Sequence, residues 1–263
     1  MNKSSNCDSA LIVFAKAPIP GQVKTRLCPP LSPDEAATLH GTLVLDTLEH
    51  TQSLAMGSGR TLDRFLACAP SADHVFFKIM EARQETRLLD QIGDDLGTRM
   101  DQAFETVFAT GYQRAVLMGT DLPTLPGSLV EEALSLLSHH DLVLGPAYDG
   151  GYYLIGLRRR MPELFVGIPW STNQVFSLTH DKAESLGLKI ALLPRWRDID
   201  TIEDLQVLIE EADRASRQGA KQKASEIILS ARTAGVLRVL SARLRERCTP
   251  FHPVGGGAAQ RST

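Results

Sequence analysis

Short apolar runs alternate along this chain with longer segments in which apolar residues recur every three or four positions. The short runs predict strands at residues 11–15, 64–69, 115–118, 141–145, 152–157 and 189–193. The periodic segments predict helices at residues 33–50, 81–92, 99–110, 129–138 and 173–186, with a further helix beginning after residue 201. This alternation predicts an α/β fold, with a mostly parallel sheet and helices on both faces.

The pattern changes near the C-terminus, where residues 218–221 predict a hinge before a second helical stretch at residues 224–247. We therefore predict a main domain at residues 8–216, a helical appendage at residues 217–248 and a disordered tail at residues 249–263. The apolar face of the appendage must pack somewhere. We expect it to dock against the main domain or against a second subunit, which would make a homodimer.

Composition narrows the classes of protein that fit. The chain has 263 residues, of which 43% are hydrophobic, and this is enough to bury a sizeable core. A net charge of -3 and dispersed lysines and arginines give no basic surface for nucleic acid. The apolar run near the N-terminus is too short to span a membrane. Four widely spaced cysteines favour reduced thiols, so we expect a cytoplasmic protein, and no histidine lies in an HExxH metal motif.

The strand predicted at residues 115–118 ends just before Asp121. This position places a carboxylate at the edge of the sheet where open α/β folds bind ligands, although an aspartate also suits an ordinary strand–helix turn. A capping box that begins at Thr201 does not account for Asp198 and Asp200. Because hard divalent cations prefer carboxylate oxygens, we expect Asp121 and Asp200 to bind Mg²⁺ or Mn²⁺.

Two other segments carry candidate chemistry. A loop with three cations, Lys16, Lys24 and Arg26, follows the first predicted strand and would wrap around phosphates, unless it is simply a solvated surface. Its spacing is not that of a Walker A loop. Asp149 lies in a glycine-flanked turn, where it would accept a proton from a bound ligand or orient that ligand. Trp170 would stack on a ligand or belong to the core.

Taken in order, these motifs resemble a bacterial family classed with the glycosyltransferases and associated with radical-SAM, selenodomain and arsenosugar gene clusters. The family belongs to the GT-A nucleotide-diphospho-sugar transferase superfamily, and the resemblance covers about residues 10–212. It rests on residues 14–18, 24–27, 95–100, 119–123, 145–156, 170–172 and 198–201. The first of these loops is also similar to that of 2-phospholactate guanylyltransferase.

The resemblance implies a Rossmann-like GT-A fold that moves a sugar from a nucleotide-diphospho-sugar to a small-molecule acceptor, with Mg²⁺ or Mn²⁺ bound. Two alternatives stay open: a nucleotidylyltransferase that releases pyrophosphate from a nucleoside triphosphate, and a non-catalytic nucleotide or sugar sensor. Two departures from the family pattern stand out. The common Asp-x-Asp pair is here Asp121-Leu122-Pro123, which leaves Asp200 to supply the second carboxylate, and Ile202 replaces a proline.

The resemblance also implies roles for individual residues. The catalytic residues would be Asp149 and Asp121, and the metal ligands would be Asp121, Asp200 and Asp198. Nucleotide and phosphate binding would fall to Lys16, Lys24, Arg26, Asp95, Arg99 and Thr120. The sugar or acceptor would contact Gly150, Gly151, Tyr152, Trp170, Ser171 and Thr172. For Asp95 the alternative is a helix cap alone.

Overall fold

The structure is a computed structural model that describes residues 8–57, 62–218 and 229–248. These residues form one seven-stranded sheet, ordered β3-β2-β1-β4-β6-β5-β7. Every neighbouring pair is parallel except the two that include β6. The strands are β1 Ser9–Lys16, β2 Leu62–Ala69, β3 Arg87–Asp90, β4 Arg114–Met118, β5 Leu142–Pro146, β6 Tyr152–Leu157 and β7 Ile190–Leu192.

The described residues also form seven α-helices and two short 3-10 helices. The α-helices are α1 Pro33–Gly57, α2 Val75–Gln84, α3 Leu96–Ala109, α4 Gly127–Leu136, α5 Val175–Ser185, α6 Ile202–Gln218 and α7 Ala231–Cys248. The 3-10 helices span Thr25–Leu27 and Pro162–Leu164. The predicted α/β class with a mostly parallel sheet is confirmed. Among the described helices, none combines the length and the apolar character that crossing a membrane requires.

Successive residues of β1 point to opposite faces of the sheet, and both faces are buried. Leu11 and Val13 pack into a cluster that includes residues of α1, α2 and α4. Ala10 and Ile12 pack on the other side, in a cluster that includes residues of α3 and α5. A strand covered on both faces is apolar throughout, which is why β1 shows no polar alternation in the sequence.

The prediction of a helix at residues 81–92 is wrong. Helix α2 begins earlier, at Val75, and ends at Gln84, after which Glu85 takes a left-handed conformation with φ of 50°. Residues 87–90 then form β3 and pair in parallel with β2. Leu88 and Leu89 enter the clusters on opposite faces of the sheet, as strand geometry requires. So short a strand carries too little periodicity to separate it from a helix.

A third apolar cluster joins the C-terminal helix to the main domain. Leu237 and Leu240 of α7 pack with buried residues of α1 and α6, together with Leu27 and Ile199. Helix α7 therefore docks against the main domain, which was one of the two possibilities expected from the sequence. A homodimer stays a prediction. The predicted hinge lies mostly outside the described residues, as do residues 224–228 of the predicted helix and the whole predicted tail.

Asp46 of α1 anchors the start of α7. Its carboxylate accepts hydrogen bonds from the hydroxyls of Ser230 and Thr233, and Arg232 Nη1 lies 2.7 Å from its Oδ1. Arg232 also pairs with the more exposed Glu49 at 2.7 Å. One nearly buried carboxylate thus holds three donors from the N-terminal end of α7.

Replacing Asp46 by alanine should lower the free energy of unfolding by about 2–3 kcal/mol, because three donors lose a charged acceptor. The matched control is Glu49→Ala, which removes only a surface ion pair and should cost about 0.5 kcal/mol. Urea unfolding followed by circular dichroism measures both. Equal losses for the two variants would contradict the anchoring role of Asp46.

Candidate functional site

The candidate site lies at the carboxyl ends of β1, β4, β5 and β7, which share one edge of the sheet. Two cavities adjoin there. The loop cavity, of about 440 Å³, is lined mainly by the loop after β1, and the turn cavity, of about 520 Å³, mainly by residues 147–153 and 170–175. The residues that line both are Arg26, Leu96, Gly119, Asp121 and Asp200. A ligand that fills both cavities would therefore lie beside Asp121 and Asp200.

Lys24 connects the two shared aspartates. Its Nζ lies 2.8 Å from Asp121 Oδ2, 2.8 Å from Asp200 Oδ1 and 2.6 Å from the carbonyl oxygen of Ile199. The Lys24 side chain is only 4% exposed. An ammonium has three N–H donors, so all of its donors are used within the protein. The sequence placed Lys24 on phosphates, whereas in the structure it holds carboxylates.

Both partners of this ion pair are charged. Burial alone would raise the pKa of Asp121, but the Lys24 ammonium and the His40 ring outweigh it and hold that pKa well below its usual range. Burial would likewise lower the pKa of Lys24, yet the charges of Asp121 and Asp200 raise it above its ordinary value. The pair therefore remains ionised across the physiological pH range.

His40 is a site residue that the sequence analysis missed. Its Nδ1 lies 3.6 Å from Asp121 Oδ1, and its Nε2 lies 3.0 Å from the carbonyl oxygen of Lys16. His40 belongs to no HExxH pattern, so a metal motif does not mark it in the sequence. The available signal was its place on the buried face of α1, one turn from Ala36 and one turn from Val44.

Asp149, Asp198 and Asp200 form the second feature of the site. Each offers a carboxylate oxygen, and these oxygens lie within 4.8 Å of one another. Burial, with the charges of Asp149 and Asp200, raises the pKa of Asp198 to about 7. Crowded carboxylates of this kind repel one another, and a hard divalent cation relieves the repulsion. The residues present therefore fit the Mg²⁺ or Mn²⁺ that the fold family implies.

The backbone fixes the turn that carries Asp149. Gly151 N donates to Asp149 Oδ1 at 2.8 Å, and Ala147 N donates to the Gly151 carbonyl at 3.0 Å. Gly150 has φ of 91°, and a Cβ at that position would lie 2.1 Å from the carbonyl oxygen of Asn173. Only glycine fits there, so this turn packs directly against the loop before α5.

The segment that carries Asp198 and Asp200 is tied to the neighbouring strand ends. Ile199 N donates to the Asp121 carbonyl at 3.0 Å. Thr201 N donates to Asp204 Oδ2 at 2.9 Å, and Asp204 N donates to the Thr201 hydroxyl at 3.3 Å. The predicted capping box is confirmed, and Asp204 is structural.

The other predicted phosphate-binding residues divide into two groups. Lys16, Arg26 and Thr120 line the loop cavity, and Arg26 is 65% exposed with its Nη1 4.0 Å from Asp200 Oδ2. Asp95 instead caps α3, because its Oδ1 accepts from Thr98 N at 2.7 Å, and Arg99 Nε donates to the Gly93 carbonyl. Neither Asp95 nor Arg99 is among the described residues that line the two cavities. The structure of Asp95 matches the capping alternative, and phosphate binding by Arg99 stays a prediction.

The predicted sugar-binding residues gather in the turn cavity, which is lined by Gly151, Tyr152, Trp170, Ser171 and Thr172. Gly150 does not line the cavity but shapes its turn. Trp170 both packs against the core and lines the cavity, while its stacking on a sugar stays a prediction. It packs into the core, where a Cβ on Gly97 would lie 2.4 Å from its ring, and it is half-buried at the cavity wall. Ser171 has φ of 65°, a left-handed conformation that is costly outside glycine.

The raised pKa of Asp198 should make the stability of the metal-free protein depend on pH. Its folded-state pKa of about 7 exceeds the ordinary aspartate value near 3.9, so the folded protein binds more protons than the unfolded chain between these pH values. Ionised Asp198 therefore costs stability progressively as pH rises from about 4 to 7. Asp198→Asn removes this cost, so in EDTA the variant should gain stability relative to the wild type between pH 5 and pH 8.

Thermal unfolding at several pH values tests this prediction. The matched control is Asp73→Asn, which removes a 92% exposed carboxylate outside both cavities and should not show this pH-dependent gain. A difference between Asp198→Asn and the wild type that is constant over the same pH range would contradict the assignment.

Comparison with known proteins agrees with this fold. Residues 53–172 match the family described as "Uncharacterized protein conserved in bacteria (DUF2064)". A crystal structure from Desulfovibrio desulfuricans G20, named a "putative nucleotide-diphospho-sugar transferase", is 36% identical with a TM-score of 0.75. The match covers 91% of this chain and 98% of that one.

A second relative carries a different activity in its name. The 2-phospho-L-lactate guanylyltransferase of Methanothermobacter thermautotrophicus is 27% identical over 190 residues, which is 71% of this chain and 78% of that protein. Both named relatives are transferases by name. The fold is like that of the nucleotide-diphospho-sugar transferases, and the chain belongs to the bacterial DUF2064 family.

Proposed function

We propose that the protein is a divalent-cation-dependent glycosyltransferase that moves a sugar from a nucleotide-diphospho-sugar to a small-molecule acceptor. One observation carries the proposal. The loop cavity, with exposed cations, adjoins the turn cavity, with carboxylates and an aromatic ring, and Asp121 and Asp200 line both. A nucleotide sugar has the same division, with an anionic nucleotide diphosphate at one end and a neutral polyhydroxyl ring at the other.

The loop cavity suits the nucleotide end. Lys16 and Arg26 are exposed on its wall, where they would pair with phosphate oxygens, and Thr120 lies beside them. Flexible cations on a loop between a strand and a helix are a common way to hold phosphates. Lys24 does not belong to this group as the structure stands, because its ammonium is saturated by protein oxygens.

The turn cavity suits a sugar better than an anion. Four aspartates line it, and Arg26, which also lines the loop cavity, is its one cation among the described lining residues. Such a cavity repels a phosphorylated acceptor, whereas sugar hydroxyls can donate to carboxylates and a sugar face can stack on Trp170. This charge distribution favours glycosyl transfer over nucleotidyl transfer to an anionic acceptor.

Asp121 and Asp200 would hold the cation, with Asp198 as a further ligand and Asp149 beside them. Bound Mg²⁺ or Mn²⁺ would neutralise charge on the departing diphosphate. Asp149 lines only the turn cavity and is exposed. Its carboxylate, oriented by Gly151 N, would take the proton from the acceptor hydroxyl. Tyr152 would stay a neutral hydrogen-bonding group, because burial raises its pKa.

The second candidate is a nucleotidylyltransferase, which the similarity to the guanylyltransferase favours. A thermal-shift screen of nucleotides and nucleotide sugars with Mn²⁺ would first identify a donor. We then expect release of the nucleoside diphosphate from a nucleotide sugar, with no pyrophosphate from GTP or CTP. Pyrophosphate release from a triphosphate would replace our proposal with the second candidate. Binding without turnover of any acceptor would leave a nucleotide or sugar sensor.

Asp149→Asn should lower turnover by roughly 10² to 10⁴-fold while nucleotide affinity with Mn²⁺ stays nearly intact, because the amide cannot accept the proton. Steady-state rates and calorimetry measure the two quantities separately. Asp73→Asn, a change at a 92% exposed residue outside both cavities, should alter neither. Loss of nucleotide affinity together with turnover would show that Asp149 holds the cation and would reject its role as base.

A further inference from the structure

Lys24 lies in a loop, and the surrounding residues hold its backbone in a strained conformation. It has φ of 49° and ψ of 37°, a left-handed conformation that costs free energy in a residue with a Cβ. Its carbonyl accepts from Leu27 N at 3.0 Å, and Leu27 is fully buried in the cluster that α7 completes. The surrounding fold thus holds the Lys24 backbone where its side chain reaches the crevice.

The ammonium lies where a bound cation would be expected. Its three partners are oxygens, and two of them are the carboxylates that line both cavities. A divalent ion bridging Asp121 and Asp200 would need the same oxygens. One Nζ and one metal ion cannot share that space, because two cations in contact repel strongly.

The loop cavity offers the ammonium other partners. Lys24 lines this cavity together with Lys16 and Arg26, so phosphates held there would come within reach of it. A phosphate oxygen is as good an acceptor for an ammonium as a carboxylate oxygen. Transfer of the ammonium from carboxylates to phosphates would free Asp121 and Asp200 at the moment when a nucleotide is present.

We propose that Lys24 is a resident counter-cation that keeps Asp121 and Asp200 from binding a divalent metal until a nucleotide diphosphate draws its ammonium away. This inference rests on the proposed function, since it concerns the same cation site. Lys24 acts here as a positioning residue: it sets the order of binding, in which the free protein holds metal weakly and the nucleotide-bound protein holds it tightly.

The test is the affinity of the nucleotide-free protein for Mn²⁺ alone, measured by electron paramagnetic resonance. Lys24→Met removes the ammonium and keeps an unbranched side chain, so it should tighten Mn²⁺ binding by about tenfold or more. The matched control is Lys78→Met, which makes the same change of net charge at a half-exposed lysine of α2 and should leave the affinity unchanged. Mn²⁺ binding to Lys24→Met no tighter than to the wild type would overturn the inference.

Two further measurements keep the outcomes distinct. Lys24→Met leaves the half-buried Asp121 carboxylate without its ammonium partner and will lower stability. The double variant Lys24→Met/Asp121→Asn, which removes both charges, therefore serves as its partner. The double variant should lose most of the gain in Mn²⁺ affinity, and an undiminished gain would overturn the inference. If the wild type bound no Mn²⁺ even with a nucleotide sugar, the proposed function itself would be rejected. If Mn²⁺ binding depended on the nucleotide sugar as proposed but Lys24→Met bound Mn²⁺ no more tightly than the wild type, only the role of Lys24 would be rejected.

Discussion

The contact of one buried ammonium with two carboxylates is the interaction on which the rest of the site depends. Lys24 reaches from the loop after β1 to Asp121 after β4 and to Asp200 before α6, so a single group joins three segments that are far apart in sequence. Without it, the carboxylates at this edge of the sheet would repel one another. The same loop is held from behind by Leu27 and α7, which links the C-terminal helix to the geometry of the crevice.

Much of this arrangement could be predicted from sequence because it follows from the parallel sheet. Carboxyl ends of parallel strands share one edge, so an aspartate directly after the buried strand at residues 115–118 had to face the loop after β1. The glycines beside Asp149 and the capping box at Thr201 act over a few residues, and the sequence contains all that those turns need. Local rules and one topological rule therefore suffice for the fold class and for most residues of the crevice.

The remaining features depend on side-chain contacts between distant segments, which no local pattern encodes. In the sequence, nothing distinguishes Lys24 from a phosphate-binding lysine. The structure shows that its ammonium donates a hydrogen bond to the carbonyl oxygen of Ile199, 175 positions away. In the sequence, His40 is a single polar residue on the apolar face of a helix, and nothing there indicates its contact with Asp121. The helix predicted at residues 81–92 failed because β3 gains its stability from pairing with β2 and from burial on both faces, not from its own four residues.

The central claim of this account is that the acidic crevice beside Lys24 binds a divalent cation with a nucleotide sugar. Anomalous diffraction at the manganese edge, from crystals grown with Mn²⁺ and the donor, tests it most directly. We predict one strong peak about 2.0–2.2 Å from carboxylate oxygens of Asp121 and Asp200. A crystal with the nucleotide sugar bound but no peak in the crevice would contradict the account, as would a peak only at the surface cluster of His180, Asp181 and Glu184.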